Sequence, residues 1–360
     1  MERILATYRI DAPASTAQAR AEALAIEQSV EMPLAAIENP HVVEQVVATV
    51  ESIERGEHGF DVTLGIAPAT TGHEASQLLN MLFGNCSLQP EVQLVDVAFP
   101  AGYERCLPGP RFGIAGIRSL TGVQRRPLTC TALKPLGSGV EQLAALAHTF
   151  ARARIDVIKD DHGLADQRSA PFAERVAAVQ RAIHEANRRT GGNTIYAPTF
   201  SGSPGALREQ ARIAREHDVR MALVAPMLVG VPAFIELQAE LAVPVLAHPA
   251  FAGSVRIAPP LLLGKLFRLF GADATIFPNH GGRFSFTRET CHAIAHAARD
   301  PWPGVRPVLP VPAGGMTVER VPEMIAGYGH DAMLLIGGGL LSAKGQLLER
   351  SREFVAAVTG

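Results

Sequence analysis

The sequence has no excess of either charge. Its 33 Lys and Arg against 35 Asp and Glu leave a formal net charge of −2, which gives no electrostatic case for a nucleic-acid partner or an acidic membrane surface. No apolar run reaches the length of a membrane span. A signal peptide is also missing: Met1-Glu2-Arg3 leads straight into a strand-like segment, and a cytoplasmic protein is expected. The four cysteines, Cys86, Cys106, Cys130 and Cys291, have no metal-type spacing, so buried thiols in a reducing compartment are expected rather than a disulfide framework. A dinucleotide fingerprint is absent too, because Gly137-Ser138-Gly139 lacks its third glycine.

What is present is enough for a large core. The chain has 360 residues, 47% of them hydrophobic, which fits two domains or one barrel with an extension. Residues 1–120 read differently from the rest. Arg3–Ile10 alternates like a strand, Thr16–Ile26 is alanine-rich and helical, and Val47–Arg55 and Gly59–Ile66 are two strands around the turn Gly56-Glu57-His58. His73–Phe83 is an amphipathic helix and Val92–Phe99 a strand. The order βαββαβ predicts an N-terminal α+β ferredoxin-like domain. The Pro/Gly-rich Pro100–Gly113 reads as a connector.

Residues 121–360 read as the second domain. Strands are predicted at Leu128–Leu133, Ile155–Ile158, Thr194–Pro198, Met221–Ala225, Val243–Ala247, Ala274–Phe277, Pro307–Val311 and Ala332–Ile336. Helices are predicted between them at Val140–Ala153, Pro171–Arg188, Gly205–His217, Pro232–Leu241, Pro259–Phe270, Thr287–Ala298 and Val318–Tyr328, and Gln346–Val358 closes the chain. Eight strands each followed by a helix predict a C-terminal (β/α)8 TIM barrel, with an open doubly wound sheet as the alternative.

The strand ends carry unusual residues. The first strand ends in Lys134-Pro135 and the second in Lys159-Asp160-Asp161-His162. Lys159 and Asp161 lie two apart, so on extended chain they point the same way. Charged residues after strands are commonly just solvated. Here the pattern recurs: His248 follows the fifth strand, His280-Gly281-Gly282-Arg283 the sixth, Ala313-Gly314-Gly315 the seventh and Gly337-Gly338-Gly339 the eighth. Glycine pairs after strands seven and eight are where such barrels hold phosphate on backbone N–H groups, although turns use Gly-Gly as well. His248 and His280 read equally as hydrogen-bonded structural histidines, and Arg283 as a solvated cation or a grip on a substrate anion.

These stretches closely resemble the large subunit of ribulose-bisphosphate carboxylase/oxygenase (RuBisCO). The carriers are LTCTALKP (128–135), IDVIKDDH (155–162), LAHPA (246–250), VPAGG (311–315) and LIGGG (335–339), with LLNMLFGN (78–85) and PAGYERCLPGPRFGI (100–114) upstream. The resemblance implies that Lys159 is carbamylated by CO₂ and, with Asp161, binds Mg²⁺. It implies that Lys134 handles the proton at enolisation, that His248 is the catalytic-face histidine of strand five, and that Ala313, Gly314, Gly315, Gly337 and Gly338 contact phosphate. Arg283 falls near the family's mobile-loop lysine, Glu27 near a glutamate that reaches the partner subunit, and Asn80 or Asn85 near the family asparagine. A homodimer, or a larger assembly built on it, is therefore expected.

The departures exclude carboxylation. His162 stands where the family has a glutamate ligand to magnesium, Leu136 where it has a second lysine, and Pro249 where an arginine grips one phosphate. No equivalent of the CO₂-positioning lysine is found. The resemblance thus implies a RuBisCO-like protein that keeps the enolisation half of the site, acting on a phosphorylated ketose such as 5-methylthioribulose 1-phosphate in methionine salvage. The alternatives are a decarboxylase of a phosphorylated 3-oxo sugar acid and a non-catalytic sugar-phosphate binder. His162 and the short chain argue against a diketone enolase.

Overall fold

Ile4, Ala6, Tyr8 and Ile10 alternate with Leu5, Thr7 and Arg9, and period two puts the first set on one buried face. The computed structural model, which describes residues 2–56 and 59–359, makes this strand β1 (Ile4–Ile10). There follow α1 (Ala17–Glu27), α2 (Pro40–Gln45), β2 (Thr49–Arg55), β3 (Phe60–Ile66), α3 (Ala75–Phe83) and β4 (Val92–Ala98). Of the turn expected at Gly56-Glu57-His58, Glu57 and His58 lie outside the described residues. The strands form an antiparallel sheet in the order β2-β3-β1-β4, as a ferredoxin-like βαββαβ unit requires. Asn39 caps α2 and Glu74 caps α3 through side-chain oxygens that accept backbone N–H groups.

The chain divides into two compact units. One runs to Pro108 and also takes in Ala252–Leu262; the other comprises Gly109–Phe251 and the chain from Leu263 onward. Ala252–Leu262 belongs to the first unit because it pairs with β4. Leu94 donates to the Arg256 carbonyl at 3.0 Å and accepts from Ala258 at 2.8 Å. The Arg256 guanidinium donates to the carbonyls of Val92, Gln89 and Ser87.

The second unit opens with α4 (Gly113–Thr121), where a plain connector was expected as far as Gly113. Asp273 explains its start: the buried carboxylate accepts from the N–H groups of Phe112 and Gly113, both at 2.7 Å. Ile114 and Ile117 then pack on the inward residues Leu128, Leu309, Val311 and Met333. Then come β5 (Leu128–Leu133), α5 (Val140–Arg152), β6 (Val157–Asp160), α6 (Phe172–Thr190), β7 (Ile195–Ala197), β8 (Thr199–Phe200), α7 (Pro204–Glu216), β9 (Ala222–Val224), α8 (Pro226–Val229), α9 (Val231–Leu241) and β10 (Val245–Ala247). The order continues with α10 (Phe267–Leu269), β11 (Ala274–Pro278), α11 (Arg288–Arg299), β12 (Leu309–Ala313), α12 (Val321–Tyr328), β13 (Met333–Leu335), α13 (Gly338–Leu341) and α14 (Leu347–Thr359). Before α10 the chain is π-helical over Pro260–Leu266 rather than α-helical as the periodicity predicts.

The strands are parallel, in the order β7-β6-β5-β13-β12-β11-β10-β9-β8. β7 is the third predicted strand, and β8 extends it beyond the predicted end at Pro198, which has no N–H to give a ladder. β7 pairs with β6 and β8 with β9, and the Pro198 carbonyl accepts from Leu223 at 2.9 Å. The eight strand positions therefore close as the predicted barrel. Cys86, Cys130 and Cys291 are buried free thiols, but Cys106 is exposed, against expectation, in the Pro/Gly-rich stretch ahead of the barrel where little apolar chain covers it. Among the described residues no helix is long and apolar enough to cross a membrane.

Candidate active site

Parity along β6 builds the centre of the site. Val157 faces the barrel interior, so Lys159 and Asp161 follow it inward, while Asp160 points outward to the helix layer. Lys159 is 3% exposed, and its Nζ donates to the Asp160 carbonyl at 2.9 Å. Burial, with the charge of Lys134, lowers its pKa and favours the neutral amine; Cys130, Asp161 and Asp160 oppose this. On the neighbouring strand Ala132 is in register with Lys159, which carries Lys134 to the same end.

Lys134 links the parts. Its Nζ lies 2.6 Å from Asp161 Oδ1, and its Cε would be 3.8 Å from a Cβ placed on Gly337. Burial by itself would raise the Asp161 carboxyl. Hydrogen bonds from His162 and Lys134, and the charges of Lys134 and Lys159, outweigh it and hold the group well below the usual carboxylate range. His162 Nδ1 is 3.3 Å from Asp161 Oδ1, and its ring stacks on His248 with centroids 4.3 Å apart and planes 11° apart. His248 Nδ1 accepts from the Ala250 N–H at 3.1 Å, which places the proton of the neutral ring on Nε2. Burial, then Lys159 and His162, push this imidazole down to about 2.

Glycine loops complete the site. Gly314 and Gly315 have φ of +78° and +65°, which L side chains rarely adopt. A Cβ on Gly282 would meet the Gly314 carbonyl at 2.7 Å, and one on Gly339 the Met316 carbonyl at 2.7 Å. The loops after β11, β12 and β13 therefore pack backbone on backbone. Among the described residues the N–H groups of Gly314, Gly315, Gly337 and Gly338 donate to no protein acceptor, as an anion cradle requires. Arg283 is exposed, with its guanidinium 5.1 Å from the Phe284 ring centroid. That ring lies 3.8 Å from where Gly314 would carry a Cβ.

In the N-terminal unit, Asn85 rather than Asn80 meets Glu27. Asn85 Nδ2 donates to Glu27 Oε1 at 2.9 Å and to Glu31 Oε1 at 3.0 Å, while Asn80 bonds to Gln77.

Sequence reasoning passed over Asp160. It is wholly buried in an ion pair with Arg175 at 3.1 Å. Tyr196 Oη donates to its Oδ1 at 2.7 Å and the Thr199 N–H to its Oδ2 at 3.1 Å. Burial raises its pKa, and Arg175, Tyr196 and Thr199 oppose that. Arg175 also donates to the carbonyls of Ala170, at 2.5 Å, and Ala165, at 2.8 Å, which organises the loop carrying Asp161 and His162. The signal was an arginine on the apolar stripe Phe172–Val176–Val179 of α6.

As a free amine Lys159 is no ligand, and among the described residues no three His, Cys, Asp or Glu side chains gather as a metal site. Asp161 and His162 alone are too few donors for a divalent ion. A carboxylate-like group on Lys159 would supply the third, so the donor set fits a cation in that form. A cavity of about 570 Å³ lies at the opposite, amino-terminal end of the strands, lined by Val123, Arg125, Arg126, Ile325, His330 and Thr359; it holds none of these residues.

Known proteins give the same picture. The family model described as ribulose bisphosphate carboxylase large chain, catalytic domain, matches residues 113–275. A 5-methylthioribulose-1-phosphate isomerase of Rhodospirillum rubrum is 51% identical over 100% of this chain and 97% of its own. Ribulose bisphosphate carboxylase-like protein 1 of Rhodopseudomonas palustris is 52% identical over 99% of this chain and 98% of its own. The crystal structure of a Rubisco-like protein from Rhodopseudomonas palustris superimposes with a TM-score of 0.94 at 50% identity, over 100% of this chain and 98% of that one.

Proposed function

The chain belongs to the RuBisCO-like proteins of the RuBisCO large-subunit superfamily, and on that footing we propose that it is a non-carboxylating isomerase acting in the cytoplasm on 5-methylthioribulose 1-phosphate or a close phosphorylated ketose. One observation carries the reading: the Lys134 side chain spans from the Asp161 carboxylate, 2.6 Å from its Nζ, to the glycine cradle at Gly337. A lysine Nζ in that position reaches the carbon next to a carbonyl when the substrate's phosphate sits on the cradle.

The N–H groups of Gly314, Gly315, Gly337 and Gly338 take the phosphate, with Ala313 at the root of the loop and Arg283 at its rim. The cradle fixes the substrate at one end, so the reacting carbon is held rather than encountered. Lys134 Nζ, as the free amine, takes the proton from that carbon and, as the ammonium so formed, returns it to give the isomer, while Asp161 orients Nζ. The Lys159 carbamate, Asp161 and His162 would hold a divalent cation, Mg²⁺ by choice of oxygen donors, and when bound it polarises the substrate carbonyl. The buried amine of Lys159 supports the carbamate, since the uncharged form is the one that attacks CO₂. His248, neutral and stacked on His162, shields the centre and presents its Nε2–H. Glu27 and Asn85, paired on the surface of the N-terminal unit, support a homodimer in which they serve the partner's site.

Deuterium exchange tests this. The pure protein is incubated in D₂O with 5-methylthioribulose 1-phosphate, Mg²⁺ and bicarbonate, and followed by NMR. Label at the carbon beside the carbonyl, with an isomeric product, is expected. An unchanged, unlabelled substrate would sink the proposal, and release of labelled CO₂ from a carboxyl-labelled phosphorylated 3-oxo sugar acid offered in its place would transfer it to the decarboxylase.

A further inference from the structure

In the glycine loops after β11 and β12 the closest approaches are made by residues that have no side chain. Gly282 lies against Gly314, and Gly315 lies against Gly282, in both cases too close for a Cβ. Such loops are conformationally loose, yet an anion cradle needs its N–H groups held in place. We infer that Arg320, anchored by Glu323, is the positioning residue that holds the two loops in the phosphate-binding arrangement. This inference rests on the reading of the β12 glycines, against which the β11 loop packs, as part of the phosphate site.

The guanidinium lies flat beside Gly281, where a Cβ would be 3.5 Å from both Nη1 and Nη2. Arg320 Nη2 donates to the His280 carbonyl at 3.1 Å, and Nη1 to the Gly315 carbonyl at 3.3 Å. One planar fork thus ties the β11 loop to the β12 loop. In a trans peptide the C=O and the following N–H point in opposite directions. Fixing the Gly315 carbonyl therefore fixes the peptide plane that directly follows the cradle N–H groups of Gly314 and Gly315, and fixing the His280 carbonyl holds the β11 loop that packs against them. Glu323 fixes the fork in turn. Its Oε2 accepts from Arg320 Nε at 3.1 Å, and its Oε1 accepts from Arg288 Nη2 at 3.1 Å and meets His280 Nε2 at 3.0 Å. The carboxylate joins α11, α12 and the β11 loop at one point. Arg320 acts through the backbone it holds and not by touching substrate.

The test measures binding of inorganic phosphate to the full-length protein by calorimetry, and KM and kcat for exchange into the phosphorylated substrate, for Arg320→Ala, Arg320→Lys, Glu323→Gln and Gly315→Ala. Arg320→Ala should weaken phosphate binding and raise KM roughly 10- to 100-fold, the loss expected of misplaced binding groups, with kcat much less changed. Added guanidinium ion should restore phosphate affinity to Arg320→Ala, which a general loss of stability would not allow. Arg320→Lys should recover little, because an ammonium cannot span two carbonyls as a fork does, and it carries the test if the alanine variant does not fold. Wild-type phosphate affinity in both Arg320 variants, with Gly315→Ala defective, would overturn the brace and leave the cradle standing. Wild-type affinity in Gly315→Ala would overturn the cradle, and the brace with it.

Discussion

The Lys134 Nζ and the Asp161 carboxylate lie 2.6 Å apart across two adjacent barrel strands. The pair sets a cation beside the candidate metal-binding carboxylate, with the glycine cradle on the other side of the lysine. Replacing Lys134 should therefore separate proton transfer from metal binding. In Lys134→Ala, exchange of solvent deuterium into the substrate should fall about 10²- to 10⁴-fold, the usual worth of a positioned acid or base. Affinity for Mg²⁺, measured by titration, should stay within a few fold, because the Lys159 carbamate, Asp161 and His162 all remain.

Lys159→Ala should remove turnover and metal affinity together. For the wild type, depletion of CO₂ and bicarbonate should lower activity, and their return should restore it. Chelation followed by Mg²⁺ should do the same. Undiminished metal-dependent activity in Lys159→Ala would show that the reaction needs no carbamate there.

Fixation of labelled CO₂ into phosphoglycerate from ribulose bisphosphate should be undetectable. This rests on the resemblance, which puts Leu136 where the carboxylase has its second lysine and Pro249 where it has an arginine that grips one phosphate. Radiolabelled product above background in the pure protein would contradict this.

Asp160→Asn should destabilise the fold by about 3–5 kcal/mol, since it leaves the buried Arg175 guanidinium without its counter-charge. Arg175→Met should cost a comparable amount. The double variant should lose much less than the sum of the two, because neither charge is then stranded. Urea unfolding of the four proteins measures the cycle.

Glu323 offers a pH signature. Hydrogen bonds from Arg320 and His280 lower its pKa from 4.5 to about 2. A depressed carboxylate stabilises the fold above its unfolded pKa and loses that contribution as pH falls through the folded value. The Tm difference between wild type and Glu323→Gln should therefore be constant from pH 7 to pH 5. It should shrink as pH falls from about 4.5 toward 2.

Much of the architecture was determined by the sequence alone. Strand and helix periods are local, and they placed β5 at Leu128–Leu133 and the rest of the barrel within a few residues. The spacing of Lys159 and Asp161 placed both on the inner face, because alternation along a strand needs no knowledge of the fold. Tertiary structure decided the rest. Period shows which face a residue takes, not what it meets there, so Arg175 on an apolar stripe gave no hint of Asp160 until α6 was packed over β6. The resemblance left Asn80 and Asn85 as alternatives for one family position, and only the folded chain brings Asn85 to Glu27. Ala252–Leu262 reads as loop and helix start, yet its backbone completes a ladder with β4, far away in sequence. The tie from Arg320 to the carbonyls of His280 and Gly315 is of the same kind. Its partners are backbone atoms, which every residue carries, so no side-chain pattern announces them.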